Sequence, residues 1–238
     1  LSVETGSKRA PQARLAHVTP THQFPLGKTM PLRRRADLLA WAQSAAAWIL
    51  EEDYDSEFRY SGAPLAALQG IDPNQRVMYL GSFSKSMFSG LRMAYLVVPR
   101  DLAPAFRAAR QIVGGPPPVL EQAVVERFLT EGHFQRHLRR MRRVYSQRQR
   151  RLIKAVEEEL DGLLHVDPDE TGMHLVGWLR NGMVAEDVCR RAAKEGLELL
   201  SLSSYRAEAG PEGVLLGFSE VGEPSLLRGV RLLRKALV

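Results

Sequence analysis

Cysteine is almost missing from this sequence: one residue, Cys189, in 238. One thiol closes no intramolecular disulfide and builds no thiolate metal cluster. A reducing compartment, the cytoplasm, is therefore expected. In AEDVCRRAAKEG the cysteine falls at helical spacing and reads as a small core residue. No run of eighteen apolar residues occurs, so the chain offers no candidate membrane span. The opening LSVETGSKRAPQARLAHV lacks both an initiator methionine and the apolar centre of a signal peptide. It reads as a chain entered partway through a domain. Internal repeats and low-complexity tracts are also missing. What is present is an ordinary globular composition, 45% hydrophobic and 25% charged, long enough for one large core or two smaller ones. The net charge of +6 favours anionic partners: phosphorylated cofactors, carboxylates or nucleic acid. Much of the excess sits in RHLRRMRRVYSQRQRRLIK, residues 136–154.

Apolar periodicity divides the chain. RLAHVTP (14–20) reads as a short strand, HQFPLG (22–27) as a turn, and MPLRRRADLLAWAQSAAA (30–47) as a helix with Leu38, Leu39, Trp41, Ala42 and Ala45 on or near one face. WILEEDYD (48–55) reads as a buried strand and its C-terminal loop, RVMYLGSFSK as a second strand and loop, and RMAYLVVP (92–99) as a third strand. Strands alternating with helices predict an α/β fold. After the breaker cluster GGPPPV (114–119) a helical tract is predicted over 119–160 with an interruption near Gly132. LLHVDPDETGMHLVGWLR (163–180) alternates like strands around a turn. AEDVCRRAAKEG is a helix closed by Gly196, VLLGFSEV (214–221) a strand, and EPSLLRGVRLLRKAL (223–237) a final amphipathic helix. The expected division falls near 155: an α/β part at 1–155, ending in a long connecting helix, and a small α+β part at 156–238.

Three features carry chemistry. Lys85 follows an apolar strand; a lysine held among apolar groups and near other cations is a nucleophile toward an aldehyde, although a solvated loop lysine is the plainer reading. Ser82, Ser84 and Arg92 bracket the same loop and together would cradle a phosphate, or would simply be a turn and a surface arginine. EEDYDSEFRY places Glu52 or Asp53 at the end of a buried strand beside Tyr54. A carboxylate there can hold a proton on a ring nitrogen, and the tyrosine hydroxyl can donate to a ring phenolate. An amine, a phosphate cradle, a carboxylate and a phenol together match the four groups of pyridoxal 5′-phosphate.

The stretch EEDYDSEFRYSGAPLAALQGIDPNQRVMYLGSFSKSMFSGLRMAYLVVP strongly resembles the aminotransferase-like domain of MocR-type regulators, a branch of the GntR family. VTPTHQFPLGKTMPLRRRADLLAWA and TGMHLVGWL match the same family, and the resemblance covers nearly the whole chain. It implies the fold type I architecture of pyridoxal phosphate proteins, here a partial large domain of mixed, mostly parallel sheet plus a small C-terminal domain. By resemblance, Lys85 matches the lysine that forms an aldimine with the cofactor. Arg92, Ser82 and Ser84 match phosphate ligands, and Tyr54 matches the contact to the ring oxygen. The family's usual EDDYD reads EEDYD here, so Glu52 takes the position of the aspartate facing the pyridine nitrogen. Its stem is one methylene longer, and Asp53 is the alternative. The resemblance further implies a homodimer, and DNA binding only through an N-terminal winged helix-turn-helix that this chain lacks. The glycine-rich phosphate loop and the aromatic that stacks on the ring are likewise outside this sequence.

Related aminotransferases hold the substrate carboxylate with an arginine near the late strand, where VLLGFSE offers Leu215; Arg206 in SSYRAEAG is the nearest substitute. SFSK also satisfies S-x-x-K, with Ser82 as nucleophile and Lys85 as base, but no S-D-N or K-T-G accompanies it. The arginines of 136–154 fall around most of a helix, with Tyr145 as the one aromatic among them, which favours a solvated or interdomain helix over a nucleic-acid surface. His133 and His137 share a helix face without the glutamate of H-E-x-x-H, and His174 reads as structural, so no metal site is expected. Three functions follow. The first is a cofactor-binding sensor domain that forms an aldimine on Lys85 and responds to an amine or amino acid. The second is an aminotransferase passing an amino group to a keto acid. The third is a truncated fragment that binds no cofactor.

Overall fold

In the computed structural model, which describes residues 2–114 and 118–238, three short apolar segments pair side by side as parallel strands. Residues 115–117 of the GGPPPV cluster, and Leu1, lie outside the described residues. The chain forms two compact units. One comprises Leu1–Gln23, Lys28–Glu57 and Ala63–Arg139; the other comprises Phe24–Gly27, Phe58–Gly62 and Arg140–Val238.

The first unit holds a four-stranded sheet, ordered β1 (Leu15–Val18), β2 (Trp48–Asp53), β3 (Val77–Ser82) and β4 (Ala94–Val97). The first three are parallel, as buried apolar runs separated by long connections require, and β4 returns antiparallel along β3. Its helices are α1 (Val3–Arg9), α2 (Leu32–Ser44), α3 (Phe83–Ser86), α4 (Ala103–Gly114) and α5 (Val119–Thr130). α1 and α4 carry no signal in the sequence reading. α1 spans VETGSKR, poor in helix formers, and is started by Ser2, whose hydroxyl accepts from Thr5 N–H. The pattern of α4 begins amid Pro99 and Pro104, which reads locally as a break. α2 begins just after Pro31 and ends at Ser44, shorter at both ends than the predicted 30–47, and packs Leu38 and Ala42 onto Val18, Ile49 and Val77, with Leu68 completing the cluster. At about 25 cal/mol per Å² of apolar surface, this shared burial is the main force holding helix to sheet.

Two charged side chains are sunk beside that cluster. Glu51 is fully buried, and its carboxylate accepts from Leu68 N–H and Gln69 N–H, both at 2.8 Å. Arg35, on α2, is 4% exposed and donates to the carbonyls of Met30 (3.0 Å), Ala66 (2.6 Å) and Pro20 (3.1 Å). Together they tie the β1–α2 and β2–β3 connections to the sheet through backbone groups.

α6 (His133–Glu159) follows α5 after a break at Gly132, whose φ of 74° is left-handed, as the sequence predicts. The second unit is an antiparallel sheet in the order β5 (Leu164–Val166), β6 (His174–Leu179), β8 (Gly213–Gly217), β7 (Leu200–Ser201), with α7 (Ala185–Lys194) and α8 (Glu223–Leu237). Two-residue β7 is too short to leave a sequence signal. α7 and α8 bury Val188, Ala192, Val230 and Leu233. α7 gives way to Gly196 at φ 79°, as expected. Within this unit, Arg148 donates to Ser219 carbonyl and Arg151 pairs with Glu223 at 2.9 Å, while Arg140, Arg143 and Arg150 are exposed. Cys189 is half-buried on α7, and burial pushes its thiol up.

Gly81 of β3 faces the ring of Tyr95, its partner on β4; a Cβ there would collide with that ring. Gly81→Ala should therefore cost about 1–3 kcal/mol in urea unfolding. The penalty should shrink in a Tyr95→Ala background; an equal penalty in both backgrounds would contradict the contact. Glu51 yields a pH prediction. Burial raises its carboxyl above the ordinary value, outweighing the lowering effects of the Gln69 and Leu68 N–H groups and of Arg35. The folded chain thus holds this proton more tightly than the unfolded one. The corresponding stability is fully present below the ordinary carboxyl pKa and is lost as pH rises through the raised one. Relative to Glu51→Gln, wild type should lose stability as pH rises above the ordinary carboxyl range. A difference between the two that does not vary with pH would refute this.

Candidate functional site

Because β1, β2 and β3 run parallel, their C-terminal ends emerge at one edge of the sheet, where ligand sites form in such folds. Side chains alternate faces along β2, so Glu51 and Asp53 point to one side and Glu52 to the other. Register carries this across the sheet. Glu52 pairs with Leu80 of β3, and Ser82, two residues on, shares its face. On β1, His17 pairs with Leu50 and so lies on that face too; its Nε2 is 2.9 Å from Glu52 Oε2.

Asp53 belongs to the opposite face and is occupied there. It accepts from Tyr79 Oη at 2.9 Å, from Ser56 Oγ at 2.6 Å and from Ser56 N–H at 3.1 Å. Burial first, then the Asp53 charge, pushes the Tyr79 phenol far up; burial likewise raises Tyr95. The Tyr79, Tyr95 and Phe83 rings form a chain, with centroids 6.1 and 5.4 Å apart, beneath the turn that leaves β3. Of the two acids open in the sequence reading, Glu52 is the one on the Ser82 face.

Tyr54 follows β2 directly. Its hydroxyl lies 3.0 Å from Nδ1 of His22, and the same nitrogen is 2.8 Å from Asp55 Oδ2. His22 and Asp55 are 2% and 1% exposed.

Lys85 sits on α3, a single helical turn, where a loop was expected. Ser82 caps that turn, its hydroxyl accepting from Ser84 N–H at 3.1 Å. Serine can therefore still donate its own hydrogen outward. Buried Ser86 closes the turn by donating to Ser82 carbonyl at 3.4 Å. Lys85 is exposed, in contrast to the apolar surroundings considered from sequence, and so is Arg92. Neither enters an ion pair among the described residues. Arg92 has φ 50°, ψ 32°, a left-handed conformation that costs an L-residue about 1–2 kcal/mol and that glycine would adopt freely. Strain of this kind at a non-glycine residue is commonest where the side chain has work to do.

Arg206 lies in the second unit. Its guanidinium donates to Pro211 carbonyl at 2.7 Å and pairs with Glu212, whose carboxyl is held down by the Ala185 N–H and by this arginine. Glu52, Tyr54, Ser82, Ser84, Lys85 and Arg92 all belong to the first unit. His17, His22 and Asp55 escaped the sequence reading. The alternation of RLAHV could have placed His17 on a strand face, but its pairing with Glu52 depends on strand register. The His22–Asp55 contact spans 33 residues and leaves no local pattern.

The sequence profile of the family "Aminotransferase class I and II" matches residues 7–211. Among curated proteins, the chain is 37% identical over 229 residues to the probable rhizopine catabolism regulatory protein MocR of Rhizobium meliloti, covering 96% of this chain and 46% of that one. It is 36% identical over 223 residues to the HTH-type transcriptional regulator YhdI of Bacillus subtilis, covering 93% and 48%. The chain thus spans about half the length of the curated relatives it matches. Among solved structures it superposes on LysN, an α-aminoadipate aminotransferase of Thermus thermophilus complexed with N-(5′-phosphopyridoxyl)-L-leucine. The TM-score is 0.87 at 28% identity, over 99% of this chain and 62% of that one. The architecture is the α/β, mostly parallel, fold type I arrangement expected from the sequence, present in part.

The two neighbouring acids should behave differently. Asp53→Asn should cost about 1–3 kcal/mol, since it weakens three half-buried hydrogen bonds. Glu52→Gln should cost under about 1 kcal/mol, because its pair with His17 is partly solvated. Equal losses in urea unfolding would contradict the assignment of opposite faces.

Proposed function

The chain belongs to the aminotransferase class I and II family, and from that premise we propose that it is the pyridoxal 5′-phosphate-binding, aminotransferase-like domain of a MocR-type regulator, with an amine or amino acid as its signal. The observation that carries this reading is the shared face. Glu52 and Ser82 line the same side of the sheet at its C-terminal edge, and Lys85 stands one turn beyond. The side chains fit the cofactor group by group. Lys85 is an exposed amine for the aldehyde. Arg92, Ser82 and Ser84 supply a cation and hydroxyl donors for the phosphate. Glu52, steadied by His17, would keep a proton on the ring nitrogen. Tyr54 would donate to the ring oxygen.

Bound cofactor supplies an aldehyde carbon that exchanges one amine for another, with water lost when the first C=N bond forms. Lys85 would provide the resident amine, and with a ligand amine in its place its own amine would be free to take up a proton. That change of charge and tethering at α3 is the local event a regulator can convert into a shift between domain conformations. In this reading residues 1–155 contribute the C-terminal part of the large domain and 156–238 the small domain. The protein acts in the cytoplasm as a homodimer. Operator contact falls to a separate domain of the helix-turn-helix kind named in the relatives. No helix among the described residues is long and apolar enough to cross a membrane.

The aminotransferase alternative needs a cation for the substrate carboxylate. Its candidate, Arg206, is already paired with Glu212, so a substrate would have to displace that acid. A simple amine as the signal makes no such demand.

The test is the visible absorbance of the purified chain with added pyridoxal phosphate. A band should form in wild type and be lost in Lys85→Ala, and amines should shift it without release of a keto acid. Keto acid together with pyridoxamine phosphate would establish the aminotransferase instead. No band in either protein would favour a fragment that binds no cofactor.

A further inference from the structure

A histidine and an aspartate are buried together beside Tyr54, and none of the roles assigned above uses them. At exposures of 2% and 1% the pair is costly unless charge and hydrogen face each other across it. Asp55 Oδ2 lies 2.8 Å from His22 Nδ1; with Asp55 ionised, its carboxylate only accepts hydrogen bonds, and Nδ1 then carries the hydrogen. Tyr54 Oη lies 3.0 Å from the same Nδ1, with the two rings tilted at 40° and their centroids 5.9 Å apart. The tyrosine oxygen therefore meets an N–H and accepts from it, and its own hydrogen is turned toward some other acceptor. With the opposite tautomer, a bare Nδ1 would face the carboxylate lone pairs at 2.8 Å and draw the tyrosine hydrogen to itself.

We infer that His22, held in one tautomer by Asp55, is a positioning residue that fixes the Tyr54 hydroxyl as a donor toward the ring oxygen of the cofactor. This rests on the proposed contact between Tyr54 and that oxygen. The fold makes the arrangement possible because β1 and β2 are parallel neighbours. The segment leaving β1 carries His22, and the segment leaving β2 carries Tyr54 and Asp55 as consecutive residues. His22 touches no reacting atom; it acts through the phenol.

Two measurements test this. The first needs no cofactor: nitrogen-15 NMR of the histidine-labelled full chain, with the His22 signals identified by their loss in His22→Gln. A proton on Nδ1 and none on Nε2 is expected in wild type. A bare Nδ1 overturns the inference. The second is a pH titration of the Lys85-dependent visible band. A donor to the ring oxygen stabilises its negative charge most when the neighbouring imine nitrogen is unprotonated. Losing that donor in Tyr54→Phe should raise the apparent pKa of the band by about one unit, the size of one hydrogen bond to a charged oxygen. His22→Gln and Asp55→Asn should move it the same way, and His22→Gln/Tyr54→Phe should move it no further than Tyr54→Phe alone. A band that titrates as in wild type in His22→Gln, or a double variant whose shifts add, overturns the inference and leaves the cofactor reading standing. A wild-type chain with no band overturns the cofactor reading and this inference with it.

Discussion

The buried carboxylate of Glu51 is the constraint around which the first unit is organised. It lies on the face of β2 that packs against α2, where an unpaired acid would be prohibitively costly. Two backbone N–H groups, from Leu68 and Gln69, and the nearby Arg35 guanidinium make it tolerable. The consequence is positional. With Glu51 committed to the core side, alternation along the strand leaves no choice for its neighbours. Glu52 must face the other way, toward the Ser82 face, and Asp53 must return to the core side, where Tyr79 and Ser56 take it up. A one-residue slip would bury Glu52 and expose Glu51, and the carboxylate offered to a ligand would be lost.

The turn after β3 is anchored from below in a comparable way. Gly81 admits the Tyr95 ring, and Tyr95 stacks near Tyr79 and Phe83. The turn bearing Lys85 thus rests on aromatic surface, while its polar upper side carries Ser82, Ser84 and Lys85. Support below half-buried hydroxyls and an exposed amine is what a preorganised anion site needs. Arg92 in a left-handed conformation belongs to the same arrangement.

Much of this was legible in the residues. The strands at 14–20, 48–55, 77 onward and 92–99 announce themselves as short apolar runs, and the C-terminal helix by its amphipathic repeat. Lys85, Ser82 and Arg92 stand out because hydroxyls and cations are clustered at a strand end. The resemblance to the MocR-type domain adds roles to positions already marked. Illegible were α1 and α4, whose local propensities are weak or interrupted by proline, and the partners His17, His22 and Asp55. Nothing in HQFP or DYDS signals that a histidine from one will share its nitrogen with a tyrosine and an aspartate from the other.

The sequence by itself determined the α/β class, the order of strands and helices, and the inventory of chemical groups: one amine, a cation, hydroxyls, acids and a phenol. These follow from periodicity and from residue type, which are local properties of the chain. Tertiary structure alone decided which of three consecutive acids supports the fold and which is presented, that Lys85 rides a capped helical turn, and that Arg206 is already paired. Those depend on strand register and on contacts between segments tens of residues apart, and such contacts exist only once the chain is folded.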